Sequence, residues 1–438
     1  MRDLALLIVI GWIVLQAFRR PWIGILGWTW FSIMNPHQLS WSLRTMPFAA
    51  AIGGATLLGL FLTKDKRDYS LDRENITLIL FMAWMCITLP FSMIFDSSFE
   101  LWKRVMKIDL MILVAMVLLH SKRHMMLLAW VLVLSIGFYG VKGGAFTLAT
   151  GGSYKVWGPE LTYIEGNNEI ALAIVIVIPL MRFLQMQMTA KWAKVTMSVC
   201  MVLMAMAALG SHSRGALLAI AAMALVLWWR GKNRFVGAVV MVVLAVALLS
   251  VMPAEWWERM NTIKTYKDDE SAMGRINAWW MAWNLAKSNF FGGGFFIWTA
   301  QIFAIYGPDP TDVHAAHSIY FMVLGEQGFV GLILFLTLFT MGWFTAGSLR
   351  TKARGNPRTQ WLSDLGGMLQ VSLAGYAVGG AFLSLSYWDL PYNLIVLGVL
   401  GRRWLLRKAW LTEKEEPVVY WPDWLKKRFQ KKRPVPLP

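Results

Sequence analysis

The sequence predicts an all-α polytopic membrane protein, with about twelve transmembrane helices and one large, partly helical outer loop. Three observations predict it. Apolar residues make up 57% of the chain and charged residues only 15%, more apolar surface than a soluble fold can hide. The apolar residues fall in blocks of about 17 to 25, the length that crosses roughly 30 Å of hydrocarbon. The blocks are built of Leu, Val, Ile, Ala and Met without period-two alternation, which disfavours a lipid-spanning β-barrel and leaves a helix bundle.

Taken in chain order, the predicted spans are 3–18, 21–34, 47–63, 76–95, 105–119, 125–146, 168–187, 192–210, 215–229, 235–252, 318–346, 364–385 and 389–404. The first two and last two are short, so either pair is a candidate for a broken or re-entrant element, which leaves twelve or thirteen crossings. The stretch Leu4 to Phe18 has the length of a signal segment. It lacks an A-x-A-type cleavage site and runs directly into Arg19-Arg20-Pro21, so it reads as a retained first helix. The organisation that follows is an N-terminal membrane part (1–252), a large outer loop (253–317), a C-terminal membrane part (318–405) and a basic cytoplasmic tail (406–438). The loop combines aromatics, Gly293-Gly294 and a mixed-charge stretch from Lys264 to Glu270, which suggests a folded cap rather than a linker.

Orientation follows from the basic loops. Lys64, Lys66, Arg67 and Arg73, then Lys122 and Arg123, then Arg230, Lys232 and Arg234, then Arg350, Lys352, Arg354 and Arg358 alternate correctly with the spans, and the tail adds Lys426-Lys427-Arg428 and Lys431-Lys432-Arg433. Positive-inside bias makes all five cytoplasmic and puts 147–167, 211–214 and 253–317 on the outer face. The same bias accounts for the net charge of +17, so no nucleic-acid partner is expected. Trp22, Trp102, Trp228, Trp229, Trp256, Trp257, Trp361 and Trp404 lie at block ends, where indoles anchor at headgroup level. Cys86 and Cys200 lie inside apolar blocks and read as small buried hydrophobes rather than a disulfide or metal pair.

An outer-face arginine beside a helix end runs against the charge bias and asks for an anionic partner. Arg214, in Ser211-His212-Ser213-Arg214-Gly215, and Arg275, in Met273-Gly274-Arg275-Ile276-Asn277, are two such residues. A guanidinium grips phosphate oxygens bidentately and does not deprotonate. Headgroup snorkelling or a salt bridge is the alternative for each. Trp102-Lys103-Arg104-Val105-Met106-Lys107 opens a span with three more outer cations, Lys103, Arg104 and Lys107, suited to a second phosphate or to anionic lipid headgroups. Lys142-Gly143-Gly144 reads as a further outer cation beside a flexible turn.

His314 and His317 end the large loop, and His317 stands at the entrance of a long helix, where a neutral imidazole can take a hydroxyl proton. A plain polar cap is the alternative. The spacing of the two histidines would also suit a metal on one helical face, but no Glu-x-x-His, Asp-x-Asp or Cys accompanies them, so no metal is expected. The polar run Trp157-Gly158-Pro159-Glu160 to Glu165-Gly166-Asn167-Asn168-Glu169 could hold sugar hydroxyls, although helix capping explains Asn167 or Asn168 equally well. Asn35-Pro36-His37 faces the same side and reads as a turn.

In their order along the chain, Ser213-Arg214-Gly215, Gly274-Arg275, His317-Ser318-Ile319-Tyr320 and Gly325-Glu326-Gln327-Gly328 resemble the O-antigen ligase and O-antigen polymerase superfamily. Met1-Arg2-Asp3-Leu4, Arg19-Arg20-Pro21-Trp22-Ile23-Gly24, Met34-Asn35-Pro36-His37, Val156-Trp157-Gly158-Pro159-Glu160 and Asn167-Asn168-Glu169 resemble its exosortase-associated branch of O-glycosylation ligases. The resemblance runs to about residue 405.

It implies a glycosyltransferase with no cofactor and no metal. Such an enzyme takes a glycan from undecaprenyl diphosphate on the periplasmic face of a bacterial inner membrane and passes it to lipid A–core oligosaccharide. Carried onto this chain, His317 is the base, with His314 as second candidate, and Arg214 and Arg275 hold the diphosphate. Lys103, Arg104 or Lys107 makes a looser donor contact, and Asn168, Tyr320 and Glu326 are secondary candidates. Fixed guanidinium groups stabilise a leaving diphosphate without a divalent ion, and one inverting displacement is the simplest chemistry. An O-antigen polymerase or a protein O-oligosaccharyltransferase is the alternative within this class, and a lipid-linked sugar flippase the alternative outside it. A flippase would need ionisable or broken-helix positions near mid-membrane, which are scarce within the predicted spans.

Overall fold

The computed structural model describes residues 2–40, 42–65, 67–230, 234–250, 252–261 and 270–413. Lys66, Lys232, most of the mixed-charge stretch beginning at Lys264, and the basic runs Lys426-Lys427-Arg428 and Lys431-Lys432-Arg433 lie outside them. Among the described residues the chain is all-helical, with no strand.

The first ten helices are α1 (Arg2–Arg19), α2 (Pro21–Met34), α3 (Phe48–Leu62), α4 (Arg73–Thr88), α5 (Phe95–Leu118), α6 (Lys122–Ala149), α7 (Asn167–Gln187), α8 (Lys191–Gly210), α9 (Arg214–Arg230) and α10 (Arg234–Leu249). Three shorter or more polar ones follow, α11 (Ala254–Asn261), α12 (Glu270–Ser288) and α13 (Ala300–Tyr306). The chain closes with α14 (Ile319–Lys352), α15 (Gln360–Gly379) and α16 (Asp389–Leu406). Every predicted span falls on a helix, and the described residues of 253–317 include α11, α12 and α13.

Among the described residues, six elements are long and apolar enough to cross a membrane: Arg73–Phe91, Lys122–Ala149, Asn167–Gln187, Lys191–Gly210, Ile319–Lys352 and Gln360–Phe382. This is fewer than the expected dozen, for a reason of length. At about 1.5 Å per residue, α2, α3, α9 and α10 fall short of a roughly 30 Å core. Charge removes others, since α5 carries Asp96, Glu100, Lys103, Arg104, Lys107 and Asp109.

Local chemistry explains the boundaries. Pro21 occupies the first position of α2, where its missing N–H costs nothing. The Ser121 hydroxyl accepts from the His124 N–H at 3.1 Å and caps α6. Helix α5 starts ten residues before the predicted span. Phe95, Phe99 and Trp102 stack along one face at centroid distances of 5.8 and 5.7 Å, and Lys103 pairs with Glu100 at 2.7 Å, so a polar first half is still stabilised as helix. The expected flexible turn at Lys142-Gly143-Gly144 is instead helix interior, because the glycines allow α6 to pack closely on α8 at Leu203.

One extended apolar core runs through the bundle, and a smaller one made by Ala278, Met281, Leu285, Ile297, Ile302 and Phe303 holds α12 and α13 together. Trp256, Trp361 and Trp404 belong to the buried set, so at these three positions the interfacial-belt expectation gives way to packing. Cys86 is exposed on α4, not buried; Cys200 is half-buried, and both are free thiols.

The two ends of the bundle differ in chemistry. At one end Arg402 bridges Asp72 (2.9 Å) and Glu74 (2.6 Å), Arg403 pairs with Asp72 and donates to the Ser70 carbonyl (2.7 Å), and Arg407 pairs with Asp68 (2.6 Å). Burial would raise the Asp68 pKa, but Arg407, Ser70 and Arg403 overcome it and hold the carboxyl well below the usual range. The Lys122 N–H and the Trp404 indole both donate to Glu413, which ties the start of α6 to the end of α16. At the other end the Asn167 amide donates to the Ser211 carbonyl (2.7 Å), His212 Nε2 lies 2.9 Å from the Gly152 carbonyl, and the Trp256 indole donates to the Leu209 carbonyl (3.0 Å).

Candidate active site

Arg214 begins α9 immediately after the tight turn from α8, in which His212 adopts a left-handed conformation (φ 57°) and the Ser213 hydroxyl accepts from the Ala216 N–H at 3.2 Å. Arg275 lies in the second turn of α12. The two arginines line one small polar cavity, about 60 Å³, together with Asn168, His212, Ser213 and residues 382–383. Asn168 reaches it because Asn167 ties the start of α7 to the turn at Ser211. Neither asparagine is the N-cap; Gly166 is, so the capping expectation fails and Asn168 remains a cavity residue.

The histidines come to the same neighbourhood by a different route. Residues 307–318 form an extended strap rather than a helix, which removes the shared helical face that a metal pair would need. No group of three or more His, Cys, Asp or Glu suited to a metal occurs among the described residues. The strap is pinned to α12 at named atoms. The Asn277 amide donates to the carbonyls of Asp309 and Asp312, both at 2.8 Å, and accepts from the Asp309 N–H at 2.9 Å. The Trp279 indole donates to the Ala316 carbonyl at 2.7 Å and stacks on Phe321 at 5.1 Å. His314 packs on Gly274, where a Cβ would lie 2.5 Å from its Nδ1, and pairs with Asp312 at 2.7 Å.

His317 is half-buried in a left-handed conformation (φ 41°) just before α14. Burial, then the charge of Arg275, then His314 depress its pKa to about 4, so the imidazole is neutral at physiological pH. Arg275 also acts electrostatically on Glu169, and so faces α7 and the strap together.

The remaining candidates lie elsewhere. Lys103, Arg104 and Lys107 line a second cavity, about 440 Å³, with Asn35, His37 and Tyr163, and it shares no residue with the first. Asn35 and His37 enter it through a left-handed residue (φ 50°) and a single 3₁₀ turn after α2. The Tyr320 hydroxyl donates to the Ala377 carbonyl at 2.7 Å, and its ring lines an apolar groove between α9, α14 and α15.

Glu326 is fully buried, accepting from the Trp298 indole at 3.2 Å and the Tyr387 hydroxyl at 2.8 Å. Its surroundings account for the Gly325-Glu326-Gln327-Gly328 run. Gly328 (φ 67°) interrupts α14, and the carbonyls of Gly325, Glu326 and Gln327 are taken up by the Gly293 N–H (2.9 Å), the Gly294 N–H (3.0 Å) and the Trp84 indole (2.8 Å).

Residues that reasoning from the sequence missed include Asn277 and Trp279, whose role depends on a partner strap distant in the chain. Asp109 and Asp389 were missed as well. Both are buried in helices, and Tyr163 lies within electrostatic reach of Asp109, Asp389, Arg104 and Glu326. A carboxylate inside an apolar block was a readable signal, and the expectation that such positions are scarce holds only in part.

Residues 199–336 match the family described as O-antigen ligase, and residues 1–189 match a family of unknown function. No curated protein matches the chain. The first match takes in Arg214, Arg275, His314, His317, Tyr320 and Glu326, whereas Lys103, Arg104, Lys107 and Asn168 fall in the second. The domain at 199–336 supports the likeness of this chain to the O-antigen ligase superfamily.

Proposed function

We propose that the protein is an O-antigen ligase of lipopolysaccharide biosynthesis, transferring a glycan from undecaprenyl diphosphate to lipid A–core oligosaccharide. The carrying observation is that Arg214 and Arg275, from separate elements, line one cavity while Arg275 also acts on the neutral His317. In this reading the two guanidinium groups hold the diphosphate and offset the charge it gains on leaving. The acceptor hydroxyl attacks the anomeric carbon, the bond from that carbon to the diphosphate oxygen breaks, and the hydroxyl proton passes to His317. One displacement inverts the anomeric centre, and the arginines take the part that a divalent ion plays elsewhere.

The cavity end is read as periplasmic and the Arg402-Arg403-Arg407 end as cytoplasmic, in a bacterial inner membrane crossed about twelve times once the shorter helices are included. The 253–317 segment is then a periplasmic cap that brings His317 to the membrane rim, between membrane parts 1–252 and 318–405. Lys103, Arg104 and Lys107 supply a second phosphate contact. The exosortase-associated branch is favoured by the N-terminal motifs, which lie within the match of unknown function.

The test supplies purified full-length protein with undecaprenyl diphosphate-linked glycan and either lipid A–core or a second lipid-linked unit. Labelled lipid A–core is expected. Lengthening of the lipid-linked chain instead would make it a polymerase, and labelling of neither acceptor would overturn the reading.

A further inference from the structure

At the far end of α9 from Arg214, the guanidinium of Arg230 lies over the Trp343 ring at 5.3 Å and faces a cavity of about 570 Å³ that Arg350 also lines. The two like charges line one space and repel each other. No carboxylate is among the lining residues. Arg230 Nη1 and Arg350 Nε are buried without a hydrogen-bond acceptor among the described residues. Buried guanidinium N–H groups left unmatched are costly, and an anion bearing several acceptor oxygens would satisfy both.

The cavity continues into an apolar groove of about 490 Å³, with Leu225, Val226 and Trp343 lining both. The groove runs between α9, α14 and α15 past Phe335 towards Ile319. From Arg350 back to Phe335 the helix rises about 22 Å at 1.5 Å per residue, more than one leaflet of hydrocarbon. A paired-cation head with an apolar slot of that depth beneath it matches a phosphodiester headgroup carrying an acyl chain. A soluble phosphate would use only the head.

We propose that Arg230 and Arg350 form a binding site for an anionic glycerophospholipid, with its phosphate between the two guanidinium groups and an acyl chain along the α9–α14–α15 groove. The site is separate from the Arg214–Arg275 cavity and does not depend on which glycan is transferred.

The test is native mass spectrometry of the full-length protein released from nanodiscs containing phosphatidylglycerol and phosphatidylcholine. The wild type is expected to retain phosphatidylglycerol selectively. Arg230→Gln with Arg350→Gln should lower that selectivity by about tenfold, the loss of roughly 1.4 kcal/mol of charge-assisted contact, while Arg230→Lys with Arg350→Lys keeps most of it. Leu225→Trp, which fills the groove and leaves both cations in place, should also release the lipid. Thermal unfolding of each variant identifies any that fails to fold. Unchanged selectivity in a folded Gln double variant overturns the proposal, as does displacement of the lipid by inorganic phosphate alone. Preferential retention of a polyprenyl phosphate in the groove would assign it to a donor tail and overturn it too.

Discussion

The indole of Trp279 donates to the carbonyl of Ala316 at 2.7 Å, one residue before His317. That bond joins the helix bearing Arg275 to the strap bearing the histidine, so the spacing of the two side chains is set by α12 rather than by the long loop. Trp279→Phe preserves the stack on Phe321 but leaves the Ala316 carbonyl without its donor. The expected result is a fall in kcat of about tenfold or more, because small misplacement of a reacting group is costly, with donor KM little changed. Asn277→Ala should act in the same direction by freeing Asp309 and Asp312. Steady-state kinetics showing a KM effect alone would remove the positioning role.

Arg214 and Arg275 line the same cavity, and in the proposed reaction they act on the diphosphate through fork geometry as much as through charge. Alanine at either position is expected to reduce transfer by about 10² to 10³, the scale of losing a group that stabilises developing negative charge. Lysine should recover only part of this, since it offers a point charge. Transfer measured with a chelator present should equal transfer without it, and strict dependence on added magnesium would contradict the assignment.

Gly328 has a φ of 67°, and a Cβ there would lie 2.5 Å from the Phe290 carbonyl oxygen. Gly328→Ala is therefore both strained and obstructed, with an expected loss of several kcal/mol of stability. Glu326→Ala leaves the Trp298 indole and the Tyr387 hydroxyl without their acceptor in a buried setting, at a cost of about 1 to 3 kcal/mol for each group. Thermal unfolding in detergent checks both. A Glu326→Gln variant of near wild-type stability and activity would support a positioning role, whereas abolished transfer in a fully stable protein would assign Glu326 to the chemistry.

The helices were legible because apolar block length is a local property, and each predicted span falls on one. The start of α5 was not, because its stability comes from the Phe95–Phe99–Trp102 stack and the Lys103–Glu100 pair rather than from apolar content. Arg214 and Arg275 were singled out as cations that run against the expected charge bias, and their common cavity required the fold. Lys103, Arg104 and Lys107 look equivalent to them in sequence, yet line another cavity, since charge says nothing about which elements pack together. Tyr320 and Glu326 belong to motifs, and their side chains serve packing at Ala377, Trp298 and Tyr387. The strap at 307–318 was missed for a related reason: its hydrogen bonds go to Asn277 and Trp279, partners no local pattern announces.

His317 links the geometry to a pH dependence. Burial foremost, then Arg275 and His314, bring its pKa from 6.5 to about 4. Between these two values the unfolded chain binds a proton that the folded protein does not, so stability from this group falls as pH drops from 6.5 towards 4 and is constant above 6.5. In the proposed reaction the base is the neutral imidazole, so kcat/KM should stay level through neutrality and decline on the acid side with a midpoint near 4. A diphosphate bound at Arg275 offsets the charge that depresses the histidine, and the midpoint in kcat should therefore lie higher than that in kcat/KM. His317→Asn is the suitable control, because asparagine tolerates the left-handed backbone at this position. Full activity in that variant, or an acid limb in kcat/KM centred at the ordinary histidine value of 6.5, would exclude His317 as the base and shift attention to His314, earlier on the same extended strap and packed on Gly274.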